Sequence, residues 1–252
     1  ELFKTMEMNR SKMMIECIEM VHQIWASQPP YRLKGEFWDI MLEETVQDDL
    51  GIGPIPTPYQ RPYPPIAVSA MSPRSGTARL AGERGWSCIS ANFNPLAHTK
   101  THWESYSEGA EQAGRRPDRN LWRVARSILV TESDAQAEEY LRNTESSVYQ
   151  YFHYLRTQLG HAGMVKIFKA DPDVADEDIT VAHCLETMVI AGSAKTVTDR
   201  LGAMVDEIGP FGVLEATFHE WDDEHMWRRS MELLATDVLP ALNRMVQPAA
   251  AE

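Results

Sequence analysis

Cysteine is scarce in this chain. Its 252 residues hold three, Cys17, Cys88 and Cys184, widely spaced and without a CxxC or CxxH pairing, so neither a disulfide framework nor a zinc site is indicated. A reducing cytoplasm is the expected compartment. No run of 18 apolar residues is present to span a membrane as a helix, and no signal peptide is visible. Basic residues are in deficit: 24 Lys and Arg stand against 37 Asp and Glu, a net charge of −13. That balance argues against nucleic acid or an anionic membrane as a general partner. No Gly-x-Ser-x-Gly elbow follows an apolar strand, which argues against a Ser-His-Asp hydrolase. The acidic cluster Asp171, Asp173, Asp176, Glu177 and Asp178 lacks the glycine and terminal glutamate of an EF-hand loop, and reads as a solvated helix start.

What is present suits a globular α/β chain. Hydrophobic residues make up 43%, enough to bury a sizeable core as a single domain over 1–252. From about Met6 to Trp25, Met13, Cys17, Met20, Val21 and Ile24 recur at helical spacing. Pro54, Pro56, Pro58, Pro62, Pro64 and Pro65 then forbid a regular helix and predict a long extended loop. Strands are predicted at Ile66–Ala70, Cys88–Ala91, Leu121–Val130 and Gly212–Phe218. Helices are predicted at Thr77–Gly82, His98–Ala113, Ser133–Leu159, Thr196–Ile208 and His225–Leu239. This alternation implies parallel pairing with right-handed crossovers.

The segment from Pro62 to Trp86 carries the clearest chemical signal. A short apolar strand feeds Met71, Ser72, Pro73, Arg74, Ser75, Gly76 and Thr77, a glycine-containing loop at the start of a helix. Such a loop offers hydroxyls and backbone N–H groups to a phosphate. The plainer alternative is that Ser75 or Thr77 merely caps the helix.

That segment, with Gly35-Glu36-Phe37-Trp38 before it and Ser90-Ala91-Asn92-Phe93 after it, resembles the flavin-dependent luciferase-like monooxygenases, in particular their limonene-monooxygenase-like branch. The likeness continues through Ala191-Gly192-Ser193, Gly209-Pro210-Phe211-Gly212, His219, Trp221-Asp222-Asp223 and Trp227 to Leu233. It implies a (β/α)8 TIM barrel of the bacterial luciferase-like type, whose site lies at the C-terminal strand ends. It implies reduced FMN, supplied by a separate flavin reductase, and O2 as reactants, with one oxygen atom inserted into a small apolar organic substrate, terpene-like or a cyclic ketone. A homodimer is the implied assembly.

On the same resemblance, Ala70, Met71, Ser72, Arg74, Ser75, Gly76 and Thr77 would hold the flavin phosphate, with Asn92 and Phe93 near the ring or substrate. Phe93 could equally pack the barrel mouth. His219, at a strand end, is the candidate for proton transfer or flavin contact, or else a hydrogen-bonded structural histidine. No metal ligands are expected. Four predicted strands fall short of the eight that a closed barrel needs. The first residues look like the helix after the fourth strand, so the expectation is a C-terminal portion, strands five to eight with insertions; a natural half-barrel is the alternative. A deazaflavin-dependent hydride-transfer enzyme and a non-catalytic partner subunit of a luciferase-like heterodimer are the rival functions.

Overall fold

The computed structural model describes residues 7–246. The chain divides into two compact units, 1–66 and 67–252. In the first, helix α1 (Arg10–Ala26) precedes an antiparallel hairpin of β1 (Tyr31–Lys34) and β2 (Asp39–Leu42). The hairpin turn is fastened to α1 by Glu16, whose carboxylate accepts the backbone N–H groups of Glu36, Phe37 and Trp38 at 2.8–2.9 Å. His22 of the same helix stacks on Tyr63, with ring centroids 3.8 Å apart.

The second unit is a parallel sheet with helical crossovers. Its strands are β3 (Ala67–Ala70), β4 (Ser87–Ser90), β5 (Trp122–Thr131), β6 (Val189–Ser193) and β7 (Val213–Thr217). All pair in parallel. The register makes β5 the centre. Val124 has Ser90 and Leu214 as partners, and Ser127 has Val189 and Thr217. Thus β7 occupies one edge of β5, while β4 and β6 follow one another along the other. A strand covered on both edges and both faces is buried along its length, and β5 is buried at nearly every position, its polar Arg126, Ser127 and Thr131 included.

The helices are α2 (Gly76–Arg84), α3 (Leu96–Gln112), α4 (Asp134–Arg142), α5 (Ser147–His161), α6 (Val181–Met188), α7 (Ala194–Ile208), α8 (Glu224–Leu233) and α9 (Leu239–Val246). A π-helical turn, Leu234–Val238, joins the last two. Side-chain oxygens of Ser75, Ser133, Ser146, Thr180, Ser193 and Asp223 cap six of these helices. Helices α2 and α3 cross in backbone contact. A Cβ on Gly82 would collide with the Tyr106 carbonyl, and one on Gly109 with the Arg79 carbonyl.

Three sequence expectations need correction. The sheet holds five parallel strands among the described residues, not four, because Val189–Ser193 pairs with β5. The helix expected over Ser133–Leu159 is two helices, broken where the chain turns at Asn143–Ser146. The acidic segment forms a 3-10 turn, Asp176–Asp178, and α6 starts after it with Thr180 as its cap.

Candidate active site

The C-terminal ends of β3, β4, β5 and β7 carry the residues of interest. After β3 the chain turns through Ser72, Pro73 and Arg74, with Arg74 at φ 50°, a left-handed conformation that non-glycine residues rarely adopt. Side chains that follow β4 hold this turn at successive points. Asn94 Nδ2 donates to the Met71 carbonyl at 2.5 Å. His102 Nε2 donates to the Ser72 carbonyl at 2.9 Å. The Arg74 N–H donates to Thr101 Oγ1 at 2.9 Å. The turn is therefore built and held before any ligand arrives.

At its end Ser75 is the N-cap of α2, its hydroxyl accepting from the Ala78 N–H at 3.3 Å. The Gly76 and Thr77 amides precede the first intrahelical donor, and such amides have no partner inside the helix. A Cβ added to Gly76 would meet nothing within 4 Å, so the space beside its Cα is open. Arg74 is exposed and has no ion pair among the described residues. Oδ1 of buried Asn94 has no partner. A phosphate-bearing cofactor fits a cradle of free amides, hydroxyls and an unpaired cation.

His102 is fixed beneath this turn. Its Nδ1 lies 2.9 Å from Ser90 Oγ, which also accepts from Trp122 Nε1 at 3.0 Å. With Nε2–H committed to Ser72, the Ser90 hydroxyl donates to Nδ1 and the ring is neutral. Burial pushes its pKa down to about 4. Nearby, Arg126 is 2% exposed and donates to Thr99 Oγ1 and the Ala125 carbonyl at 3.0 and 2.9 Å. Burial lowers its pKa to about 10, against the pull of Glu207.

The second cluster lies around His219. Its Nε2 is 3.0 Å from Ser127 Oγ. Asn92 Nδ2 donates to that same Oγ at 2.9 Å, and Tyr151 Oη donates to Asn92 Oδ1 at 3.1 Å. The Tyr151 ring stacks on His219 at 3.8 Å. Burial pushes the His219 pKa down to about 4 as well. A cavity of about 520 Å3 opens beside it, lined by Ser147, Tyr151, Tyr154, Phe218, His219 and Asp222 among others. Asp222 ties this wall together, accepting from Tyr140 Oη, the Ser147 N–H and Trp227 Nε1 at 2.8–3.0 Å.

The structure gathers Met71, Ser72, Arg74, Ser75, Gly76 and Thr77 into one turn, and joins Asn92 to His219 through Ser127. Ala70 is sealed in the sheet, its carbonyl accepting the Ala91 N–H. Phe93 lies in the apolar core, edge-on to Phe168 at 6.1 Å. Sequence reasoning did not bring out His102, Ser127, Asn94, Thr101 or Tyr151. The bonds that bring them to the turn and to His219 span 23 to 92 positions, beyond the reach of any local pattern.

Residues 8–210 match the family described as luciferase-like monooxygenases. The 3,6-diketocamphane 1,6-monooxygenase of Pseudomonas putida is 28% identical over 239 residues, covering 93% of this chain and 62% of its own length. Limonene 1,2-monooxygenase of Rhodococcus erythropolis is 27% identical over 191 residues, covering 74% of this chain and 46% of its own. Among solved structures, the oxygenating constituent of 3,6-diketocamphane monooxygenase from P. putida in complex with FMN, a type II Baeyer–Villiger monooxygenase, superposes with a TM-score of 0.76 at 28% identity. That match covers 93% of this chain and 64% of the other. The chain thus spans a little under two thirds of the length of these camphane relatives. With its parallel strand-helix architecture and a match over most of its length, the chain belongs to the luciferase-like monooxygenase family.

Proposed function

We propose that this chain is the phosphate-binding part of a monooxygenase that uses reduced FMN and O2 to oxygenate a small, largely apolar cyclic ketone. The observation that carries the reading is the pre-built turn at the start of α2, with open space beside the Gly76 Cα. Two relatives whose names specify diketocamphane oxygenation support the ketone. The FMN-bound relative supports the cofactor. When bound, reduced FMN supplies two electrons and, with O2, the inserted oxygen: ketone, O2 and reduced FMN give ester, oxidised FMN and water.

The chain's own part is binding and orientation. The Gly76 and Thr77 N–H groups, at the positive end of α2, donate to the phosphate. Hydroxyls of Ser72, Ser75 and Thr77 add donors, and Arg74 supplies the local positive charge that an acidic protein otherwise lacks. Ala70 contributes only backbone continuity to the turn. Asn92 and His219 line the chemical end of the site, and buried Phe93 supports it from the core. His219 is neutral at working pH, so it acts as a hydrogen-bonding group rather than as a cation. The same reading makes a separate flavin reductase the source of reduced FMN, a homodimer the working form and the cytoplasm the compartment.

Titration with FMN, followed by quenching of flavin fluorescence, tests the reading. It is run on this chain and on one extended at its N-terminus to the relatives' length. Saturable binding by the extended chain, weakened by Gly76→Val, is the expected result. Binding of a deazaflavin instead of FMN would move the assignment to hydride transfer, and binding of neither to a non-catalytic subunit.

A further inference from the structure

His219 is enclosed by a closed circuit of contacts. One lone pair of Ser127 Oγ is taken by Asn92 Nδ2–H at 2.9 Å, and Ser127 is 1% exposed, so water is not its partner. Its remaining neighbour is His219 Nε2 at 3.0 Å. At the other end, the Tyr151 hydroxyl has Asn92 Oδ1 as its acceptor at 3.1 Å. It has no other among the described residues. A phenol is a strong donor, and its direction propagates: Tyr151 O–H to Asn92, Asn92 N–H to Ser127, Ser127 O–H to Nε2. A nitrogen that accepts carries no proton, so in the neutral ring the proton sits on Nδ1.

His219 Nδ1 has no protein partner among the described residues, yet it is not among the sealed, unsatisfied atoms. His219 lines the cavity that also holds Tyr154 and Glu220. The stacked Tyr151 ring, 3.8 Å away and 22° from parallel, prevents the imidazole from turning over. We propose that Asn92, Ser127 and Tyr151 are positioning residues that hold His219 as its Nδ1–H tautomer and present that N–H to the cavity. The donor would serve an acceptor oxygen, such as a ketone carbonyl. This identity of the acceptor rests on the function proposed above, whereas the tautomer does not.

The test is ring-nitrogen NMR on the flavin-free chain labelled with 15N-histidine, read at neutral pH. In the unaltered protein His219 is expected to show a protonated-type shift at Nδ1 and an unprotonated-type shift at Nε2. His102 provides the opposite pattern as an internal reference. Ser127→Ala should convert the His219 pattern into an averaged one, and Tyr151→Phe should shift it part of the way; His102 should not move in either. A protonated Nε2 in the unaltered protein would mean that Ser127 Oγ accepts from His219 instead of donating to it, and would overturn the proposal. An unchanged His219 pattern in Ser127→Ala would overturn it too. The unaltered protein alone decides the tautomer if a variant fails to fold. FMN titration of the N-terminally extended chain keeps the two claims apart: no flavin binding there, beside an Nδ1–H ring, sinks the flavin reading and leaves the tautomer standing.

Discussion

His102 Nε2 donates to the carbonyl of Ser72 at 2.9 Å, so a helix that follows β4 fixes the turn that follows β3. The ring reaches across two strand ends and carries its other nitrogen to Ser90. A turn held in this way has little entropy left to lose when a ligand arrives.

His102→Leu should therefore damage binding as well as folding. It leaves the Ser72 carbonyl without a donor and the Ser90 O–H without an acceptor, while Ser90 Oγ keeps its bond from Trp122, a stability loss of about 2 kcal/mol. FMN affinity should fall at least tenfold because the turn is released. Urea unfolding and fluorescence titration on the same preparation check both; unchanged affinity in the folded variant would show that the turn does not hold the cofactor.

Stability should fall on mild acidification. His102 and His219 both have pKa values brought down to about 4 by burial, while an unfolded histidine titrates near 6.5 (about the model-peptide value). Between these values only the unfolded chain takes up the proton. Stability is thus fully present above about pH 6.5 and is lost as pH drops toward 4, by at most about 1.4 kcal/mol per pH unit for each histidine. The contribution of half-buried His219 is smaller because solvent screens it. Urea midpoints at pH 7 and pH 5 measure the loss, and a flat profile would contradict neutral burial of these rings.

Two glycines in neighbouring helices should respond in opposite ways. Gly76→Ala places its methyl in open space and should leave the melting temperature within a degree or two while weakening FMN binding. Gly109→Ala drives a methyl into the Arg79 carbonyl and should cost about 2 kcal/mol or more, since α2 and α3 must separate. Thermal melts of both variants provide the comparison.

Asp222 should matter through its donors. Burial alone would raise its pKa, but bonds from Trp227, Ser147 and Tyr140 outweigh that and keep it low. Asp222→Ala strands the indole N–H of Trp227, a residue 2% exposed, and the Ser147 N–H; a loss of about 2 kcal/mol follows. Asp222→Asn, which keeps an acceptor oxygen, should recover part of it. Chemical denaturation of the two variants would show whether this order holds.

The sequence made β3, β4, β5 and β7 legible because each carries an apolar stretch bounded by proline, glycine or a polar turn. Strand β6 lacked such a boundary. Val189 follows Met188 of α6 with no intervening turn residue, and Val-Ile-Ala-Gly-Ser is too short to assert a period against a helix. The β1–β2 hairpin escaped for a different reason: its strands are four residues each, and although burial alternates along both, only Tyr31 of the eight is fully buried, so the period is too short to assert. The phosphate turn was readable because hydroxyls, glycine and strand-to-helix order are local. Its fastening by Asn94, Thr101 and His102 was not, since those bonds exist only once α3 has docked.

Because β5 carries partners on both edges, its central amides cannot meet solvent by fraying from either side. Their hydrogen exchange should proceed only when the whole parallel unit opens, whereas amides of the hairpin in 1–66 exchange through smaller openings. The slowest protons of Trp122–Thr131 are thus a direct gauge of global unfolding. Ser127 is part of that slow set, so the imidazole it holds inherits the lifetime of the sheet itself.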